Sequence, residues 1–177
     1  MPSYVALLRG INVGSHNRIS MPDLRELVTA TGAEDVRTYV QSGNVVFQSA
    51  DKAAAVEQAI EKAIKTELGL DVAVMVRTDK QLAKVIKANP FPKQPDHKRL
   101  LVMFLGEKPK AANVKRLAEA ATGPEEFEVL GNEAYMHYPE GYGRSKFGGM
   151  WVEKQLAVPG TARNWRSVMT LAEMASE

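Results

Sequence analysis

Cysteine is absent from this 177-residue chain. That excludes disulfides and thiolate metal sites, and it fits a reducing, cytoplasmic compartment. Long apolar runs are missing too: no stretch approaches the roughly 20 residues that cross a bilayer, so no membrane span is expected. The opening MPSYVALLRG lacks a basic leader region, and its short apolar run reads as a strand rather than a signal peptide. An excess of one charge sign is also lacking. Lys and Arg number 23 against 21 Asp and Glu, so there is no general basic field of the kind that coats DNA, and an anion site has to be a local cluster. The three histidines, His16, His97 and His137, show no metal-ligand spacing, and no metal site is expected. Neither GxGxxG, nor the phosphate-loop ending Gly-Lys-Ser/Thr, nor a GxSxG elbow occurs. The sequence therefore names no catalytic base or nucleophile.

What is present is an ordinary globular composition, 45% hydrophobic and 25% charged, with enough length to bury a core as one domain or two small lobes. Periodicity orders the elements. Residues 3–8 form an apolar run suited to a buried strand. Met21, Leu24, Leu27, Val28 and Thr31 then recur at helical spacing after Ser20, which with Asp23 resembles a capping box. Gly32 stops that helix. VRTYV and NVVF, separated by QSG, read as a hairpin in which Gly43 is free to adopt a left-handed conformation. A second helix starts near Asp51, carries Val56, Ile60, Ile64 and Leu68 on one face and ends at Gly69. DVAVMV follows as a strand. Residues 1–78 thus read β, α, β, β, α, β, the order of a ferredoxin-like unit.

Residues 79–177 repeat much of this order. A short helix with Leu82, Val85 and Ile86 leads into NPFPKQPDHK, a proline-rich linker. RLLVMFLG reads as a strand, Val114, Leu117, Ala118 and Ala121 mark a helix, and EFEVLGNEAYMHY is a hairpin turning at Gly131 and Asn132. Aligning Gly43 with Gly131 suggests an internal duplication. The ending differs. Ser145 is expected to cap a helix carrying Phe147, Trp151 and Leu156, and Pro159 with Gly160 to break the chain. Thr161 or Asn164 then caps a last helix that buries Trp165, Val168, Leu171, Ala172 and Met174. The expected fold class is α+β: two ferredoxin-like βαββαβ-type halves in tandem, followed by C-terminal helices, the halves forming one compact unit.

Four motifs, LLRGINVGSHNRISMPDLRELV, VRTYVQSGNVVF, GYGRSKFGGMWVEKQL and GTARNWRSV, resemble in content and order the bacterial family catalogued as domain of unknown function 1697. The resemblance covers essentially the whole chain. It implies an α+β fold of two ferredoxin-like halves and a family without an established biochemical activity. Two positions depart from the family's pattern: Ser15 stands where glycine is frequent, and Ser167 stands where threonine is frequent, keeping the hydroxyl.

The polar residues of these motifs make up the candidate ligand-binding set. Arg9 ends an apolar strand, where its guanidinium can fork onto a carboxylate or a phosphate. Gly10, Asn12 and Gly14 form a loop whose backbone donors suit an anion nest. Gln41, Ser42 and Asn44 surround Gly43 in the hairpin, where turn chemistry alone also accounts for them. Arg144, Ser145 and Lys146 read as a helix start, and two cations there oppose the helix dipole unless an anion lies close. Arg163, Asn164 and Trp165 repeat that arrangement, although Trp165 also has the spacing of a core residue. Three readings follow. The first is a small anionic or nucleotide-like ligand held in a cleft where the four stretches converge. The second is a nucleic-acid-binding sheet presenting Tyr39 and Phe47 to bases, although RNP-type residues are missing. The third is structural, with Arg9 and Arg163 making ion pairs between lobes. The sequence names neither cofactor, substrate nor oligomeric state.

Overall fold

The computed structural model describes residues 1–177. The chain begins with β1 (Ser3–Leu8), α1 (Met21–Ala30), β2 (Glu34–Thr38), β3 (Asn44–Gln48), α2 (Ala53–Leu68) and β4 (Val74–Thr78). Local chemistry sets these boundaries. The Ser20 hydroxyl accepts from the Asp23 N–H at 3.2 Å and Pro22 sits in the first turn of α1, where its missing donor costs nothing. Gly69, at φ 68°, closes α2. The four strands form an antiparallel sheet in the order β2-β3-β1-β4. Alternation along β1 sends Tyr4, Ala6 and Leu8 into a core with Leu24, Val28, Phe47, Ile60 and Ile64 beneath the two helices, each large side chain contributing about 1.5–3 kcal/mol by burial. Val5 and Leu7 on the opposite face are buried as well.

The same order recurs. After α3 (Asp79–Lys87) come β5 (Leu100–Leu105), α4 (Ala111–Ala120), β6 (Glu126–Leu130), β7 (Glu133–His137), α5 (Gly149–Leu156), β8 (Gly160–Asn164) and α6 (Trp165–Ser176). The second sheet is also antiparallel, ordered β6-β7-β5-β8. Its helix-side core gathers Leu101, Met103, Leu105, Leu117, Met136, Tyr138, Val152 and Leu156. The molecule is thus a mixed α+β protein with two four-stranded sheets and six helices. By compactness the chain divides into Met1–Lys84 with Thr170–Glu177, and Val85–Met169. Both divisions fall inside helices, α3 and α6. None of the helices is long and apolar enough to cross a membrane.

Two sequence expectations are corrected here. Pro159 and Gly160 do not simply break the chain, because Gly160 opens strand β8, paired with Leu105 of β5. A Cβ at Gly160 would stand 2.8 Å from Met103 Cγ and 3.0 Å from Leu105 Cδ2, so glycine leaves room for the β5 side chains that pack over it. Helix α5 does not start at Ser145 either. Its N-cap is Gly148, preceded by a 3-10 turn at Tyr142–Arg144, because the Ser145 hydroxyl accepts from the Phe147 N–H at 3.0 Å and shapes a local turn instead.

Candidate polar ends of the two sheets

In the first unit β1 and β2 are both antiparallel to β3, so they run the same way and their exits share one end of the sheet. RGINVG leaves β1 there and QSGN makes the β2–β3 turn there. Asn12 joins them. Its amide nitrogen donates to the Ile19 carbonyl at 2.9 Å and to the Gln41 carbonyl at 2.8 Å, and its amide oxygen accepts from the Ile19 N–H at 2.9 Å. Asn12 itself is left-handed, at φ 54°, a conformation that asparagine tolerates better than most residues. Gly43 completes the junction: its carbonyl accepts from the Leu8 N–H at 2.9 Å. At φ 89° it packs so tightly that a Cβ would lie 2.6 Å from Ile11 Cδ1 and 3.0 Å from Leu8 Cβ. Asn44 is fully buried and donates to the Tyr39 carbonyl and the Ser42 hydroxyl. Gln41 and Ser42 are exposed, Arg9 is half-buried and Gly10 and Gly14 are exposed. Both segments are free of carboxylates: no Asp or Glu occurs from Arg9 to Pro22 or from Val36 to Ala50, whereas Arg9, His16 and Arg18 lie in the first of them.

The second unit gathers the other two motifs at one end of its own sheet. β7 and β8 are both antiparallel to β5, so GRSK, beyond β7, and Asn164, closing β8, share that end. Ser145 donates to Glu125 Oε1 at 2.8 Å, and Lys146 is exposed with Nζ 5.3 Å from the centre of the Phe147 ring. Asn164 caps α6, its Oδ1 accepting from the Ser167 N–H at 2.9 Å, as the sequence suggested. Trp165 is buried.

Arg163 departs from its expected place at a helix start. It lies within β8 opposite Val102, almost fully buried, and donates to the Ala162 carbonyl at 2.9 Å. Burial lowers its guanidinium to about 10, which leaves it cationic at neutral pH. The cation pair of GRSK is likewise not in the first turn of a helix, since Lys146 precedes the Gly148 cap. Sequence reasoning missed a counterpart to Arg163. Arg77 on β4 lies opposite Val5, is similarly buried and donates to the Val76 carbonyl at 3.1 Å. The signal was there in VMVRT and GTARN, which carry arginine at the same place in the last strand of each sheet. Glu125, the partner of Ser145, was missed because nothing in sequence spacing joins residues 20 apart. Phe47, offered as a base platform, is buried in the helix-side core against Tyr4 at 5.8 Å between ring centres, so it presents no face to a base.

With this geometry in view, the sequence profile described as "Protein of unknown function (DUF1697)" matches residues 1–135. A solved structure of the conserved bacterial protein SP0830 from Streptococcus pneumoniae is similar to this chain throughout. It has a TM-score of 0.77 at 22% identity, with 98% of each chain covered. At that identity the likeness speaks to fold alone. No curated protein matches.

Proposed function

We propose, for a chain that belongs to the DUF1697 family of proteins of unknown function, that it binds a small anionic or nucleotide-like ligand through the polar ends of its sheets. The observation that carries this reading is the first unit's joined loop pair. Asn12 fixes RGINVG against QSGN in two segments that carry cations and no carboxylate, and the N-terminus of α1, capped by Ser20, opens from the same loop. An anion against the two loops gains guanidinium attraction, while Asp23 in the first turn of α1 already occupies the favourable end of that helix's dipole. Arg9, Gly10, Gly14, Gln41 and Ser42 are its contacts, with Asn12 and Asn44 as supports. In the second unit the exposed Lys146 is the contact for the same ligand class, and Ser145, Arg163, Asn164 and Trp165, buried or bonded within that unit, act as its supports. We also read each half as a ferredoxin-like module in tandem, a reading supported by the twice-repeated strand order, and the location as cytoplasmic, in keeping with a chain without cysteine.

The test is a panel of inorganic phosphate, pyrophosphate and nucleoside phosphates, read by thermal shift and by calorimetry, on the wild type and Arg9→Ala. Binding in the wild type that Arg9→Ala abolishes, with the unliganded melting temperature unchanged, is the expected result. Absence of binding by every member of the panel overturns the reading. A specific observation favours a structural role for part of the set: Asn12, Asn44, Ser145 and Asn164 each use their side chains within their own unit. A large loss of unliganded stability in Arg9→Ala would extend that role to Arg9.

A further inference from the structure

The proline-rich segment that joins α3 to β5 meets one side chain at its middle, His137, and the chemistry of that contact depends on a single proton. Phe91 stacks on His137, ring centres 4.9 Å apart. Gln94 reaches the same ring, its Nε2 lying 2.8 Å from His137 Nε2. The other ring nitrogen, Nδ1, is 3.0 Å from Glu126 Oε1 on β6. Pro90, Phe91, Pro92, Lys93, Gln94 and His137 line an open cavity of about 390 Å³.

The hydrogen positions follow from the partners. A carboxylate only accepts, so Nδ1 carries a hydrogen toward Glu126. The amide of Gln94 is not free to turn over, because its Oε1 accepts from the Asp96 backbone N–H at 3.0 Å. It therefore points its NH2 at His137, and His137 Nε2 is the acceptor. A proton on Nε2 sets N–H against N–H. It also leaves the Glu126 bond intact, so uptake of a proton holds the ring on β6 while it releases the segment.

We propose that His137 is a proton-operated catch for the segment Asn89–Arg99, closed when the imidazole is neutral and open when it is charged. The catch sits at the root of the GRSK loop. His137 ends β7, the Tyr138 N–H donates to the Arg99 carbonyl at 2.8 Å, Arg99 Nη1 donates to the Pro139 carbonyl, and the Tyr138 hydroxyl donates to the Phe147 carbonyl at 2.7 Å. Opening the segment thus loosens one anchor of the loop that carries Ser145 and Lys146. The charged groups around the ring are few. Glu126 faces it from β6, with Glu128 and Glu133 further along the same sheet face by strand alternation. Lys93 and Asp96 come from the segment itself, Asp96 being 3.3 Å from Arg99; β5 contributes the uncharged Leu100 opposite His137, and Tyr135 of β7 and Arg163 of β8, both opposite Val102, lie further along the same face.

Hydrogen exchange of the full chain, corrected for the intrinsic pH dependence of exchange, reads the catch directly. Exchange is compared at about pH 8 and about pH 5. Protection of residues 89–99 in the wild type is expected to fall about fivefold, the equivalent of one hydrogen bond. In His137→Gln the segment is expected to be less protected at both pH values, without a further fall. Gln94→Glu keeps the acceptor for Asp96 N–H but presents a carboxylate to the ring, and its segment is expected to tighten on acidification instead. Protection that does not change with pH in the wild type, or that falls equally in His137→Gln, or a Gln94→Glu variant behaving as the wild type does, overturns the proposal.

Discussion

The two halves share one strand order but spend their residues at opposite ends. In the first half the long connection follows β1, from Arg9 to Ser20, and the hairpin turn runs from Tyr39 to Gly43. In the second half the corresponding pieces shrink to Gly106–Lys110 and to the pair Gly131 and Asn132. The long connection there runs instead from Tyr138 to Gly148, between β7 and α5, where the first half needs only Ser49–Lys52. The scaffold does not require any of the long segments, since each half folds the equivalent corner without one. That difference separates what holds a βαββαβ unit together from what the unit can do without, and three of the four polar stretches, RGINVG, QSGN and GRSK, fall in the dispensable parts while TARNW lies in β8 and α6.

Glycine at the two hairpins gives the sharpest way to break the comparison. Gly43→Ala places a Cβ against Ile11 and Leu8 at a positive φ, whereas a Cβ at Gly131 meets nothing within 4 Å. Gly43→Ala is expected to cost about 2–4 kcal/mol by chemical denaturation and Gly131→Ala about 1 kcal/mol. Equal losses would show that the first hairpin is no more tightly fitted than the second. Next in size is Asn12→Ala, which removes three hydrogen bonds and a residue suited to its left-handed backbone. A loss of about 2 kcal/mol is expected, with faster exchange in both RGINVG and QSGN, since one side chain joins them.

A third prediction uses two positions that the strand registers make equivalent. Val46 faces Val5 in the first sheet and Tyr135 faces Val102 in the second. Only the tyrosine carries a further bond, its hydroxyl donating to the Val85 carbonyl of α3 at 2.6 Å, and burial pushes that hydroxyl up to about 12. Tyr135→Phe strands a buried acceptor and is expected to cost about 1–2 kcal/mol. Increased exchange should be confined to α3 in the second unit. The smallest effect concerns Glu57 on α2, whose carboxyl is raised above its ordinary value near 4.5, first by burial. The folded protein holds that proton more tightly than the unfolded chain. Its stabilising contribution is therefore full below about pH 4.5 and lost as pH rises through the folded value. Glu57→Gln is expected to flatten that section of a melting temperature profile recorded from about pH 4 to 7.

Most of the fold was legible because it rests on local signals. Strand alternation, the Ser20 cap, the Gly69 stop and the two hairpin glycines each act within a few residues, and each is found where the sequence places it. β8 was illegible for a tertiary reason. GTARN has no apolar alternation, and it is a strand only because Gly160 lets it lie against Met103 and because its ladder with β5 supplies partners. The start of α5 was misplaced because Ser145 has a distant acid, Glu125, and a turn of its own to satisfy before the helix begins. Asn12 was named as a loop residue, but its reach to Gln41 depends on β1 and β2 ending side by side, which only the sheet order shows.

The outer edge of β4 has a consequence for how this chain behaves among its own copies. Glu61 accepts from the Val74 N–H at 3.1 Å and Glu57 from the Val76 N–H at 3.2 Å, so two donors that an edge strand would offer to a stranger are occupied by the helix packed beside it. Edge strands are where sheets from different molecules join. With α2 docked, two donor positions along that seam are closed to a further strand. The glutamates of α2 therefore guard the outer edge of the first sheet from within the fold itself.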